Sequence, residues 1–248
     1  MDIIVCISSV PDTTSKINFS EDRSKFDSTG IQFVINPYDE FGLTKAIMLK
    51  DTFKGKVTVI TVGDVSVEPV MRKALAIGAD EAVRINMNPE DSYSTAIEIA
   101  NYLNNNPADL IITGRESIDY NGGAVGGMIA EIINLPFVNA CNGLNINEKT
   151  AELTREIDGG IENISIQIPV VIAGQKGLVE ESELMIPNMR GIMQARTKPL
   201  QVIEPSNVTS LTNSCSFEKP TEKAACKIVS SENIEELVNL LQNEAKVI

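Results

Sequence analysis

As far as Pro136, short unbroken apolar runs alternate with segments of helical spacing. Ile3-Ile-Val-Cys-Ile7, Val57-Thr-Val-Ile-Thr-Val62 and Asp109-Leu-Ile-Ile-Thr113 offer no polar face to water, the pattern of strands covered on both sides. Val83-Arg-Ile85 is a shorter run and reads as a strand near a sheet edge. Between the runs, Phe41, Leu43, Ala46, Ile47 and Leu49 keep one helix face apolar. Val70, Ala74, Leu75 and Ile77 repeat the pattern and stop at Gly78; Ala96, Ile97, Ala100 and Leu103 repeat it before Asn104–Asn106. A strand buried on both faces needs helices on both faces, so the alternation predicts an α/β fold with a doubly wound parallel sheet.

Beyond Pro136 the rhythm changes. Gly143–Glu148, Ala151–Glu156 and Ile161–Ile168 read as strands joined by turns at Asn147–Thr150 and Asp158-Gly-Gly160, that is, β-hairpins added to the α/β body. Pro169-Val-Val-Ile-Ala173 returns to a buried strand. Gly174–Pro199 shows no period and is expected to be a long irregular segment. After Pro205 a Ser/Thr/Asn-rich stretch leads to an amphipathic helix around Asn233–Ala245, with Ile234, Leu237, Val238 and Leu241 on one face. A short helix after a polar linker seldom offsets its own ordering entropy, so it is expected to pack on the body or on another subunit. The expected organisation is an α/β domain over 1–203, with an irregular loop at about 175–196, and an extended C-terminal arm over 204–248.

Composition removes whole classes of chemistry. The chain has no histidine, which excludes Ser-His-Asp and Cys-His machinery, His-ligated zinc or haem, and an imidazole proton shuttle. Asp and Glu outnumber Lys and Arg by 34 to 21, a formal charge of -13 that argues against nucleic acid and against anionic membranes. No apolar run approaches the ~20 residues of a membrane span. The chain opens with Asp2 where a secretory leader would carry a basic region. Cys6, Cys141, Cys215 and Cys226 are scattered without metal-ligand spacing; Cys6 and Cys141 sit in apolar company and are expected to be buried thiols. The expected compartment is reducing cytoplasm.

The strongest local signal is Leu110-Ile-Ile-Thr-Gly-Arg-Glu-Ser-Ile-Asp-Tyr-Asn-Gly-Gly-Ala-Val-Gly-Gly127. A buried strand ends at Gly114, a polar turn follows, and glycines open the next helix. Ligands of open α/β sheets sit beyond the carboxyl ends of strands, where a helix start presents free N–H groups to a phosphate. The spacing places Gly122, Gly123, Gly126 and Gly127 on one helix face, for close approach of a phosphate or simply of a neighbouring strand. The run is neither a dinucleotide G-x-G-x-x-G nor a P-loop. Asn36-Pro-Tyr-Asp-Glu40 is a second candidate, or a capped helix start with Asp39 and Glu40 as cap and first-turn acid. Glu116 with Asp119 is a candidate acid–base pair, or two surface carboxylates. Arg155-Glu156-Ile-Asp158 is most simply a charged strand entering a tight turn. Together these residues supply adenine-nucleotide binding without visible catalytic chemistry, so the 1–203 domain is expected to be a doubly wound α/β fold of the adenine-nucleotide-binding type.

Several motifs in order resemble those of the small (beta) subunits of electron transfer flavoproteins, over nearly the whole chain. They are Val5-Cys-Ile-Ser-Ser-Val-Pro-Asp12, Asn36-Pro-Tyr-Asp-Glu40, Arg72-Lys-Ala-Leu-Ala-Ile-Gly-Ala-Asp80 and Asp109–Asp119, then Arg155-Glu-Ile-Asp-Gly-Gly-Ile-Glu162 followed by Pro169-Val-Val-Ile-Ala173, and Ile192-Met-Gln-Ala-Arg-Thr-Lys-Pro-Leu200. The resemblance implies an electron carrier subunit, not an enzyme in its own right. Its partner would be a large (alpha) subunit carrying FAD, and this chain would hold AMP as a structural ligand. Matched position by position, the AMP contacts fall at Cys6, at Asn36, Pro37, Tyr38 and Asp39, at Val62, and along Gly114, Arg115, Glu116, Ser117, Ile118, Asp119, Tyr120, Asn121, Gly122, Gly123, Ala124 and Val125. Met189 falls at the apolar anchor that docks a dehydrogenase, expected to be an acyl-CoA dehydrogenase of fatty acid β-oxidation, and the C-terminal arm is expected to pack on the large subunit.

The sequence departs from the family pattern at three places. Arg115 stands for the usual Lys, Tyr120–Val125 replaces a stretch that usually includes Gln, and Gln175–Glu183 replaces an Arg-Leu-Asn-Glu-Pro run. Two other readings stay open on sequence alone. One is the electron-bifurcating branch of the family, with a second FAD in place of AMP and NADH as donor. The other is a stand-alone nucleotide-binding regulatory protein like the universal stress proteins.

Overall fold

The computed structural model describes residues 1–206, 208–223 and 225–248; Asn207 and Ala224, both in the expected arm, lie outside the described residues. Strand β1 (Asp2–Cys6) leads through β2 (Ser9–Pro11), β3 (Asn18–Phe19), β4 (Phe26–Asp27) and β5 (Phe33–Ile35) to helix α1 (Pro37–Phe53). Then follow β6 (Lys56–Val62), α2 (Glu68–Ile77), β7 (Glu81–Ile85), α3 (Ser92–Asn105), β8 (Leu110–Gly114) and α4 (Val125–Ile132). Three long strands come next, β9 (Phe137–Asn147), β10 (Thr150–Ile157) and β11 (Gly160–Gln167), and after them β12 (Val170–Gly174), α5 (Met189–Ala195), β13 (Leu200–Ile203) and α6 (Ile234–Asn239).

One sheet of nine strands, in the order β11-β10-β9-β12-β8-β1-β6-β7-β13, organises the chain. Seven of them, β9 to β13 through β12, β8, β1, β6 and β7, run parallel. At the far edge β10 runs against the others, pairing antiparallel with both β9 and β11. The expected hairpins extend this same sheet, and their first strand, β9, starts at Phe137, ahead of the Gly143 expected, and pairs with β12 before turning into β10. The strand read at Val83–Ile85 lies one place in from the edge, which β13 occupies.

Alternate strand residues feed two apolar layers. Ile3, Val5, Val57, Val59, Leu110, Ile112, Val170 and Ile172 face α1, α2 and the end of α5. Ile4, Cys6, Ile60, Val62, Ile111 and Val171 face α3 and α4. The buried face of α3 is Ala96, Ile99, Ala100 and Leu103; Ile97, expected there, is only half-buried, because the helix is turned so that Glu98 and Ile99 go inward. Helix α1 has Pro37 in its first turn, Asp39 and Glu40 beside the positive end of the dipole and Lys50 beside the negative end, and it stops at Lys54 in a left-handed conformation. It lies so close to β8 that a Cβ on Gly42 would meet Ile112 Cγ2 at 2.8 Å.

The segment expected to be irregular contains α5. Leu178 and Val179 are buried, Met185 packs on the core, and Met185 N–H donates to Thr44 Oγ1 at 3.3 Å. Arg72 donates to Ala195 O at 2.7 Å and to Lys198 O at 2.9 Å, tying α2 to the end of α5. A Cβ on Gly191 would meet Ala76 O at 2.2 Å, so glycine is what lets α5 cross α2. The segment is thus a braced platform and not a free loop.

Truncating Ile112 to alanine, where α1 meets β8, should cost about 2–5 kcal/mol in urea denaturation, whereas the same change at exposed Ile186 should cost well under about 1 kcal/mol.

Candidate functional site

The chain reverses direction across the sheet at β1. It winds outward through β6 and β7, then returns to β8 on the other side. Loops leaving β1 and β8 part at this point, and the crevice between them is where an open α/β sheet accepts a ligand. A cleft of about 580 Å³ opens there, at the carboxyl ends of β1, β6 and β8.

Cys6 and Val62 form part of its floor, with Asp39 between α1 and β8. Gly114, Arg115, Glu116, Ser117, Asp119, Tyr120, Gly122, Gly123, Ala124 and Val125 line one side. Asn36, Pro37, Tyr38, Ile118 and Asn121 do not line it. Asn36 is fully buried and braces the loop from beneath: its Nδ2 donates to Glu116 O at 2.9 Å and its Oδ1 accepts from Ile118 N at 3.2 Å. Tyr38 lies under the Arg115 guanidinium, 5.8 Å from ring centroid to Cζ. Asn121, with φ 50°, turns the loop and donates from its N–H to Ser117 O.

Two local expectations need correction. Asp39 is not the helix cap. Asn36 holds the cap position without a side-chain cap bond, and Asp39 points inward, accepting from Ser8 N at 2.7 Å, from Asn36 Nδ2 at 3.0 Å and from Gly114 N. A side chain at Gly114 would collide with Asp39 Oδ1 at 2.2 Å, so glycine is required where β8 ends. The four glycines do not share a helix face either. Helix α4 begins only at Val125, so Gly122 and Gly123 belong to the loop before it, Gly123 with φ 58°. The polar turn needs a left-handed residue before the helix can start, and that requirement delays the helical period to about one turn beyond where the spacing indicated.

Ala124 offers α4 no side-chain acceptor, and the first amide of that turn to find a backbone acceptor is Met128, onto Ala124 O at 3.0 Å. The N–H groups of Val125, Gly126 and Gly127 are the donors a helix start leaves over. Gly126 must be small as well, since a Cβ there would meet Thr113 Oγ1 at 2.6 Å. Anionic groups suit such a place.

The cleft wall is rich in carboxylates, yet each has an internal duty. Asp64 accepts from Ser66 N, Asp91 caps α3 through Ser94 N, Glu116 pairs with Arg115, and Glu90 accepts from Ser210 Oγ. Glu116 and Asp119 do not form an acid–base pair with each other: Glu116 serves Arg115, and Asp119 accepts from Tyr120 N. Arg115 is the single cation lining the cleft among the described residues. The Asp64 and Asp91 walls, and Thr212–Ser214 from the arm, carry no sequence signal of nucleotide binding; Asp before a helical turn was their only trace.

Burial sets the state of two groups on the floor. Desolvation pushes the Asp39 carboxyl up to about 7 in spite of three hydrogen bonds to it, and Asp119 adds to the rise. Burial also pushes the Cys6 thiol far up, with Asp39 adding to it. Neither Cys6 nor Cys141, whose thiol is raised to about 12, is a nucleophile at neutral pH. No group of three or more metal-ligating side chains occurs among the described residues, and no helix among them is long and apolar enough to cross a membrane.

Residues 24–208 match the electron transfer flavoprotein domain. The chain is similar to the electron transfer flavoprotein subunit beta of Bacillus subtilis, with 34% identity covering 100% of both chains. It is also similar to the mitochondrial electron transfer flavoprotein subunit beta of Oryza sativa subsp. japonica, with 30% identity over 100% of both, and to the electron transfer flavoprotein subunit beta of Homo sapiens, with 27% identity over 99% of this chain and 98% of the relative. The chain belongs to the electron transfer flavoprotein family.

Asp39 titrates near 7 in the folded protein and near 3.8 in the unfolded chain. Between these values the native state keeps a proton that the unfolded state has released, so Asp39 makes stability fall as pH rises from about 4 to about 7 and level off above. Urea denaturation at about pH 5 and about pH 8 should show a smaller loss for Asp39→Asn than for the wild type.

Proposed function

We propose that this chain is the subunit of an electron transfer flavoprotein that holds AMP, supports an FAD-carrying large subunit and docks a dehydrogenase. The observation that carries the reading is the cleft at the carboxyl ends of β1, β6 and β8, where the start of α4 aims unpartnered amides at a nucleotide-sized space. Its residues fit an adenine nucleotide: the Val125 and Gly126 N–H groups and the Arg115 guanidinium would hold the phosphate, and the apolar floor at Cys6 and Val62 would take a flat, uncharged surface. AMP bound there stabilises the fold by mass action and fixes the loop from Gly114 to Val125. FAD on the large subunit supplies the redox chemistry; this chain's residues position and dock.

Met189 begins α5 on the braced platform and is 76% exposed, with Ile186 and Met193 exposed beside it. Methionine on a rigid base suits an apolar anchor that must fit a partner's pocket. The arm helix α6, continued by a π-helical stretch at Leu240–Glu244, leaves Ile234, Leu237 and Val238 exposed. We assign that face to the large subunit. An acyl-CoA dehydrogenase is the electron partner in this reading, and the cytoplasm its compartment.

Acid extraction of the complex copurified through a tag on this chain tests the reading. One FAD and one AMP per complex is the expected result. Two FAD and no AMP would move the protein to the bifurcating branch, with NADH as donor. No flavin and no large subunit would overturn the reading in favour of a stand-alone regulatory protein. Met189→Asp should leave flavin content unchanged while slowing electron exchange with the dehydrogenase by about tenfold or more, as loss of a central anchor does; unchanged exchange would refute the docking role.

A further inference from the structure

The arm does more than leave the domain. Ser206 N–H and Oγ both donate to the buried Glu98 carboxylate, at 2.7–3.0 Å, and Ser210 Oγ donates to Glu90. Leu211 N–H and Thr212 N–H then donate to Asp91 Oδ2 at 2.7 and 3.0 Å, while the other oxygen, Oδ1, caps α3 through Ser94. These bonds hold the Asp91 carboxyl well below the usual range against the opposing pull of desolvation. Past this clip, Thr212, Asn213 and Ser214 line the cleft. The chain next reaches the β3–β4 hairpin. There Phe217 stacks on Phe19 with centroids 5.2 Å apart, Phe217 N–H donates to Arg23 O at 2.9 Å, and Lys219 Nζ donates to Asn18 Oδ1. The segment is therefore fixed at both ends and lies against the ligand space only in the middle.

We propose that Val208–Phe217 is a strap forming a wall of the nucleotide cleft, that Thr212–Ser214 touch the bound nucleotide, and that the strap must unclip at Asp91 or at Phe19–Phe217 before the nucleotide leaves. The proposal rests on the nucleotide reading of the cleft. A few bonds hold each end, against the extensive packing of the sheet, so the strap opens far more readily than the domain unfolds. Because strap and ligand contact each other, each slows the departure of the other.

Two substitutions unclip opposite ends. Asp91→Asn keeps one oxygen for the Ser94 cap but turns an amide group toward the Leu211 and Thr212 donors. Phe217→Ala removes the stack at a residue that does not line the cleft. The purified heterodimer is loaded with radiolabelled AMP and chased with unlabelled AMP, and the same is done with FAD. Loss of a clip, the charge-assisted hydrogen bonds in Asp91→Asn or the aromatic pair in Phe217→Ala, should speed release about tenfold in each variant. Independently of any variant, adding AMP to the wild-type complex should slow hydrogen exchange at the Leu211 and Thr212 amides. Retention of nucleotide by the wild type with release unchanged in both variants, or no slowing at those amides, would overturn the strap and leave the nucleotide reading standing. Failure of the wild type to bind either nucleotide would overturn both.

Discussion

A buried knot of two side chains holds the cleft in shape. Asn36 and Asp39 lie together beneath it, and between them they bond to Ser8 after β1, to Gly114 at the end of β8, and to Glu116 and Ile118 in the loop beyond. Two stretches distant in sequence, Ser8 and Gly114–Ile118, are thus pinned by two side chains that are almost wholly buried. An unmet polar group in such a place costs about 1–3 kcal/mol, so the knot is stable only when every member is present. Its position decides where the loop from Gly114 to Val125 can run, and through that loop where α4 begins.

Much of the architecture was legible because strands buried on both faces cannot disguise themselves. The runs at Ile3–Ile7, Val57–Val62 and Asp109–Thr113 each became a central parallel strand. What escaped was whatever depended on partners remote in sequence. Asp39 next to Pro37 has every local mark of a helix-start acid, and only Ser8 and Gly114 draw it inward. The glycines around Gly123 keep a four-residue spacing, but a left-handed turn delays the helix. Helix α5 was invisible because its period is short and its support, Arg72 from α2, comes from far away. Thr212–Ser214 look like linker, since nothing local says that Asp91 will hold them.

The charge of the protein is arranged with a similar economy. Carboxylates crowd the cleft, each bonded to a backbone, hydroxyl or guanidinium donor while keeping its charge, and the groups on the wall that attract an anion are the amides at the start of α4 and Arg115. The floor thiol stays protonated at neutral pH, and no group of three or more metal-ligating side chains occurs among the described residues.

Strand β13 covers the outer edge of β7, pairing Leu200 with Ala82 and Ile203 with Ile85. During synthesis β7 emerges long before β13, so the growing chain spends that interval with an open, apolar strand edge, a template for pairing with the wrong neighbour. The central strands suffer less, since β1 is flanked by β6 early and by β8 soon after. Completion of the fold is therefore gated by the ribosome's delivery of residues near 200, and a nascent chain stalled before that point is the form of this protein most exposed to aggregation and to chaperones.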